Sequence, residues 1–176
     1  VLQLHGWASE LPSVSGALLQ LRLDETVGAT TFVDQAYARP AATCSGVTCP
    51  TAGVSGQFGQ AAQFDGVDDY VSAGNGITLT AGSGVTKTGQ SFSVAFWAKR
   101  TATNQSNLVI GQGTQSAESG LSIGFKDTNR FTCGFYSDDL TTSAAYTDAA
   151  RGVALQVADG RVAAAGIAAG DDGRVD

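Results

Sequence analysis

Apolar and polar side chains alternate with a period of two in several short stretches of the chain, and that alternation predicts β-strands separated by turns. In the first stretch Ala17, Leu19, Leu21 and Leu23 point one way and Gln20 and Arg22 the other, before Asp24 and Glu25 close it. The clearest repeat is residues 91–98: Phe92, Val94, Phe96 and Ala98 share one face, and Ser91 and Ser93 lie on the other. Trp97 is out of phase with these and faces the opposite side. Leu121, Ile123 and Phe125 alternate, residues 126–129 turn, and Phe131, Cys133 and Phe135 alternate back. That is the pattern of a hairpin whose two arms offer one apolar face to one core. Shorter strand-like pieces fall at 57–64, 70–71, 77–80 and 108–110, whereas 28–56 reads mostly as loop, interrupted at Phe32 and Val33. No segment before Asp148 sustains a helical period. The expectation is an all-β chain folded as an antiparallel β-sandwich.

The two ends read differently. Residues 1–16 show no clean period and predict a linker or frayed entry, leaving 17–148 as the β-sandwich domain. Residues 149–176 contain no aromatic side chain and are dominated by Ala, Gly, Asp, Arg and Val. Val153, Leu155 and Val157 suit one weak strand, but 163–170 offers little to bury, so an irregular C-terminal tail is expected. Its residue types are also what GC-rich codons give in many reading frames, so an out-of-frame continuation and a divergent sheet edge both stand as explanations.

Charge narrows the function. Only 15% of residues are charged, the net charge is −6, and the ten Lys and Arg are scattered. Nucleic-acid binding, which rests on phosphate neutralisation, is disfavoured. No apolar run approaches the length of roughly 18 residues that predicts a membrane-crossing helix. The 23 glycines and abundant small polar residues suit many turns and a secreted protein.

Three stretches, in this order and spacing, resemble the laminin G-like, concanavalin A-like jelly-roll family of bacterial surface proteins. They are 19–25, Leu-Gln-Leu-Arg-Leu-Asp-Glu, with Asp34 following; 59–71, Gly-Gln-Ala-Ala-Gln-Phe-Asp-Gly-Val-Asp-Asp-Tyr-Val; and 91–98, Ser-Phe-Ser-Val-Ala-Phe-Trp-Ala. The resemblance covers 17–148. It implies a jelly roll and a non-catalytic extracellular or cell-surface module that binds carbohydrate or protein ligands in adhesion, within a larger polypeptide. Such domains usually continue with a Trp- and His-bearing strand, which the chain after Tyr146 does not supply. The expected jelly roll is therefore partial.

Candidate chemistry follows from residue types. Glycoside hydrolysis, known in the wider superfamily, needs two carboxyl groups flanking the scissile bond, but Glu10, Glu25 and Glu118 are isolated. A Ser or Cys nucleophile would want a histidine, and His5 lies in the N-terminal segment. The chain therefore reads as no enzyme, with a ligand-free structural spacer as the alternative and a glycoside hydrolase relative behind it. Calcium suits Asp34, Asp65, Asp68, Asp69 and Asn75, whose oxygens match a hard cation, although the same residues also build turns. Trp97 and Tyr136 suit a sugar platform, or equally a covered layer. Cys44 and Cys49 frame Cys-Ser-Gly-Val-Thr-Cys, where Gly46 eases the bend a short disulfide requires. Zinc would need further ligands. Cys133 reads as a packed thiol, or as one parted from a cross-strand partner.

Overall fold

The computed structural model describes residues 2–5, 17–36, 42–74, 92–113, 120–135, 138–145, 150–158 and 161–169. In chain order its strands are β1 (Leu2–His5), β2 (Thr31–Phe32), β3 (Ala42–Thr43), β4 (Thr51–Ser55), β5 (Gln60–Phe64), β6 (Phe92–Arg100), β7 (Asn107–Gln112), β8 (Leu121–Phe125), β9 (Phe131–Phe135), β10 (Asp138–Thr141), β11 (Ala150–Ala158) and β12 (Arg161–Ala169). The helical content of these residues is one 3-10 turn, Gly46–Thr48. The chain is all-β, in antiparallel sheets. It divides into two compact units, Val1–Ile77 with Trp97–Lys99, and Thr78–Phe96 with Arg100–Asp176.

The second unit contains the expected hairpin. β8 and β9 pair in the register Leu121↔Phe135, Ile123↔Cys133 and Phe125↔Phe131, which puts the six apolar side chains on one face. All six are buried, and Phe92, Val94, Phe96 and Ile110 pack against them. The rings of Phe125 and Phe131 meet edge to face at 5.4 Å, a favoured aromatic geometry. β7 and β10 flank the pair, giving the order β10-β9-β8-β7. The turn is pinned by Asn129, which adopts a left-handed φ of 61°. Its Oδ1 accepts from the Asn104 amide at 2.8 Å and from Arg100 Nη1 at 3.3 Å. The Arg100 guanidinium lies 4.2 Å over the Phe125 ring, so the buried cation sits against an electron-rich face.

Within the C-terminal tail the weak strand expected around Val153, Leu155 and Val157 is present in β11, and the expectation that 163–170 stays irregular is corrected by β12, while 149, 159–160 and 170–176 lie outside the described residues. β11 and β12 pair as an antiparallel hairpin from Arg151↔Ala169 to Ala158↔Arg161, with one register shift between Val153 and Leu155. A ladder is joined by backbone N–H and C=O groups, which Ala-rich segments own as fully as bulky ones.

The first unit departs further from expectation. β1 pairs with β5 from Leu2↔Phe64 to His5↔Ala61, so residues 2–5 form a strand where a frayed entry was expected. β4 pairs along the other edge of β5, inside the stretch that read as loop. The predicted strand over 17–23 is absent. Only Leu21 makes a bridge, to Asp34, and Gln20 is 7% exposed while Leu19 is 36% exposed, the reverse of the expected alternation. The cause is polar. The Gln20 amide donates to Asp34 Oδ1 at 2.9 Å, and the Gln20 carbonyl accepts from the Gln35 amide at 2.8 Å. Leu23 then takes a left-handed φ of 57°, which ends any extended run. The core of this unit is Leu23, Phe32, Ala42, Ala52 and Ala62. Tyr70 and Val71 lie outside any strand, next to an isolated bridge between Ser72 and Thr43. The strand expected at 77–80 lies outside the described residues.

Candidate functional site

Three of the aspartate candidates of the first unit, and its disulfide, lie on two adjoining loops. Cys44 and Cys49 form a disulfide with their Cα atoms 5.1 Å apart. The loop it closes contains the 3-10 turn, entered by Gly46, whose left-handed φ of 61° makes the bend that this glycine was expected to ease. The second loop runs from Asp65 to Ser72. Gly66, at φ 81°, makes the corner, and Asp65 Oδ1 accepts from the Val67 amide at 2.8 Å and the Asp68 amide at 3.4 Å. Asp69 Oδ2 reaches back to accept from the Asp65 amide at 2.8 Å. These are Asx-type bonds, in which a short side chain stands in for a missing backbone partner.

Backbone bonds join the two loops. The Thr43 and Ser72 amides donate to each other's carbonyl oxygens at 2.9 and 2.7 Å, and the Tyr70 amide donates to the Thr48 carbonyl at 3.0 Å. The disulfide loop and the acidic corner thus form one braced surface.

Asp65, Asp68 and Asp69 each bring a carboxylate oxygen within 4.8 Å of the others. Three oxygens in that space suit a hard divalent cation, although two of the three residues already spend an oxygen on the turn. Asp34 is not in this group. Its Oδ1 caps the Gln20 and Ala36 amides, at 2.9 and 2.8 Å, which is a structural task. Its Oδ2 is buried without a hydrogen-bond donor, as is Glu25 Oε2, whose sister oxygen accepts from the Val33 amide at 2.8 Å. Glu25 therefore spends its carboxylate holding a neighbouring segment. Asn75, Tyr136, Glu10 and Glu118 lie outside the described residues, as does the side chain of His5.

Trp97 is half-buried, and its ring meets that of Phe58 at 5.8 Å with an interplanar angle of 78°. Phe58 was not anticipated as a site residue. It read as part of a strand over 57–64, whereas β5 starts only at Gln60 and leaves Phe58 on a bend, 37% exposed. The available signal was Gly59 next to it, which takes a left-handed φ of 63°.

Cys133 is a free, buried thiol in the hairpin core. Burial and the nearby Asp139 carboxylate push it up to about 12 from an ordinary 9.0, which makes it inert at neutral pH. No helix among the described residues is long and apolar enough to cross a membrane. Compared with known proteins, the chain matches no family model, no curated sequence and no solved structure.

Proposed function

We propose that the chain is a non-catalytic recognition module that binds a glycan or protein ligand outside the cell, as part of a larger secreted or surface polypeptide. The fold reading is a two-layer sandwich of the laminin G-like, concanavalin A-like jelly-roll kind. It is supported by Phe92, Val94 and Phe96, which come from β6 and pack on the face of the β8–β9 hairpin. The disulfide supports an oxidising compartment.

One observation carries the binding reading: the partly exposed Phe58–Trp97 pair, two aromatic rings held against each other at 5.8 Å. Aromatic rings stack on the C–H faces of sugars and anchor protein contacts at low entropic cost. Tyr136 belongs to the same reading as a second platform residue. Calcium is the proposed cofactor, with Asp65, Asp68 and Asp69 as its oxygen donors and the buried, unpaired Oδ2 of Asp34 as a separate candidate. When bound, the ion would neutralise the corner and stiffen it; the turn hydrogen bonds of Asp65 and Asp69 are made by the protein alone.

The test is a glycan array probed with the wild-type chain and with Trp97→Ala, each in calcium and in chelator. Binding lost in Trp97→Ala is the expected result, and loss in chelator would add calcium to it. An empty array, together with a melting temperature that calcium leaves unmoved, would favour a structural spacer.

A further inference from the structure

The braced double loop carries a feature that the fold does not use. Val47, at the tip of the disulfide loop, is 89% exposed, and Val67, at the tip of the acidic corner, is 85% exposed. Tyr70, whose amide ties the second loop to the first, is 53% exposed. Apolar side chains held out in water contribute nothing to a core, and when they gather on one surface they mark a place where something docks. Their loops are joined at the backbone, since the Tyr70 amide donates to the carbonyl of Thr48, the residue after Val47, and Val67 is three residues before Tyr70.

The surface is also stiff. The disulfide, the Thr43–Ser72 bonds and the aspartate-to-amide bonds hold both loops before any partner arrives. Binding there loses little conformational entropy, which is what separates a docking face from a floppy tip. An exposed tyrosine accompanied by exposed aliphatic side chains on the same two joined loops is the composition of an interface anchor.

Charge selects the partner. The carboxylates of Asp65, Asp68 and Asp69 lie in the same loop as Val67 and Tyr70, and no described lysine or arginine forms an ion pair with them. The chain as a whole carries −6, so long-range steering also favours a cation-bearing partner. We infer that the double loop of residues 44–49 and 65–72 is a protein-docking surface whose occupant is a segment of apolar side chains flanked by lysine or arginine. The inference rests on the protein-ligand side of the reading above, at a surface separate in its residues from the Phe58–Trp97 pair.

The experiment uses the full chain in chelator and a fluorescent synthetic peptide of alternating lysine and leucine, with the alternating glutamate and leucine peptide beside it. Anisotropy titration should give binding to the first peptide only. Val47→Ser with Val67→Ser, which leaves the net charge unchanged, should weaken it about tenfold, as should Tyr70→Ala by itself. Asp68→Asn, at a carboxylate that no turn bond uses, should weaken it about threefold and flatten its salt dependence. Val27→Ser, a valine 78% exposed on another turn, should change nothing. Equal binding by wild type and both apolar variants would mean general attraction to an acidic protein and would overturn the inference, as would equal binding of the glutamate peptide. Neither result touches the glycan array, so the two readings fail separately.

Discussion

The interiors of the two units are built from different material. In the second unit the buried cluster is Leu121, Ile123, Phe125, Phe131, Cys133 and Phe135, drawn from two adjacent strands paired in full register. In the first it is Leu23, Phe32, Ala42, Ala52 and Ala62, of which three are alanines, and β2 and β3 are two residues long. A regular ladder stacks large side chains on one face, so apolar burial can stabilise the fold directly. In the first unit Leu23, Phe32 and Ala42 come from segments too short or bent for this, and the five-residue strands β4 and β5 contribute only alanines, Ala52 and Ala62, to the buried cluster. The first unit instead adds a disulfide and a set of side-chain caps: Asp34 on Gln20 and Ala36, Glu25 on Val33, Asp65 and Asp69 on the acidic corner. Staples and caps replace bulk where the backbone does not repeat.

That contrast is broken most forcefully in the hairpin. Phe131→Ala removes a ring that touches both Phe125 and Phe96, and it should cost about 3–5 kcal/mol, read as a fall in the denaturation midpoint. A loss under 1 kcal/mol would mean that this core is loosely packed and the contrast false. The next effect belongs to the first unit. Replacing Cys44 and Cys49 together by serine releases a short loop, for which the chain-entropy argument gives about 2 kcal/mol. The same change should loosen the double loop, seen as faster amide exchange at Tyr70 and Ser72. Unchanged exchange there would assign the bracing to backbone bonds alone.

The same division decided what could be read in advance. Alternation announced β6 and the β8–β9 hairpin with its six apolar residues on one face, because side chains there answer to one buried face. Gly46 between Cys44 and Cys49, and the turn-building role of Asp65 and Asp69, were legible as local backbone chemistry. Alternation misled at 17–23, where Leu19 was set inside and Gln20 outside. The arrangement there is decided by Asp34, fourteen residues from Gln20, and a polar bond across that distance leaves no periodic trace. β1 and β4 were missed because each is only four or five residues long, too short for a period to stand out, and is placed by its backbone ladder to β5. Of the site, the three aspartates were anticipated as a group with Asp34, which the structure sets to another task. The meeting of Phe58 with Trp97 crosses 39 positions and was invisible to any local rule.

The smallest effect sharpens the contrast through one residue type in two settings. Cys44 is half-buried at the margin of the first core and covalently spent, whereas Cys133 is a thiol inside the second. Desolvation, helped by Asp139, raises Cys133 from 9.0 to about 12, so the folded state holds its proton more tightly than the unfolded chain does. Below pH 9 both states are protonated and this preference is fully present. Between pH 9 and 12 the unfolded thiol ionises and the folded one does not, so stability drains away across that window. Other groups also titrate there, and the readout is therefore a difference: the fall in denaturation midpoint from pH 9 to pH 11 should be steeper in the wild type than in Cys133→Ala. The absolute cost of the alanine, a small cavity, cancels from that slope. Parallel slopes would mean that the thiol reaches water in the folded chain, and then the hairpin core is not the dry, close-packed interior that distinguishes it from the stapled one.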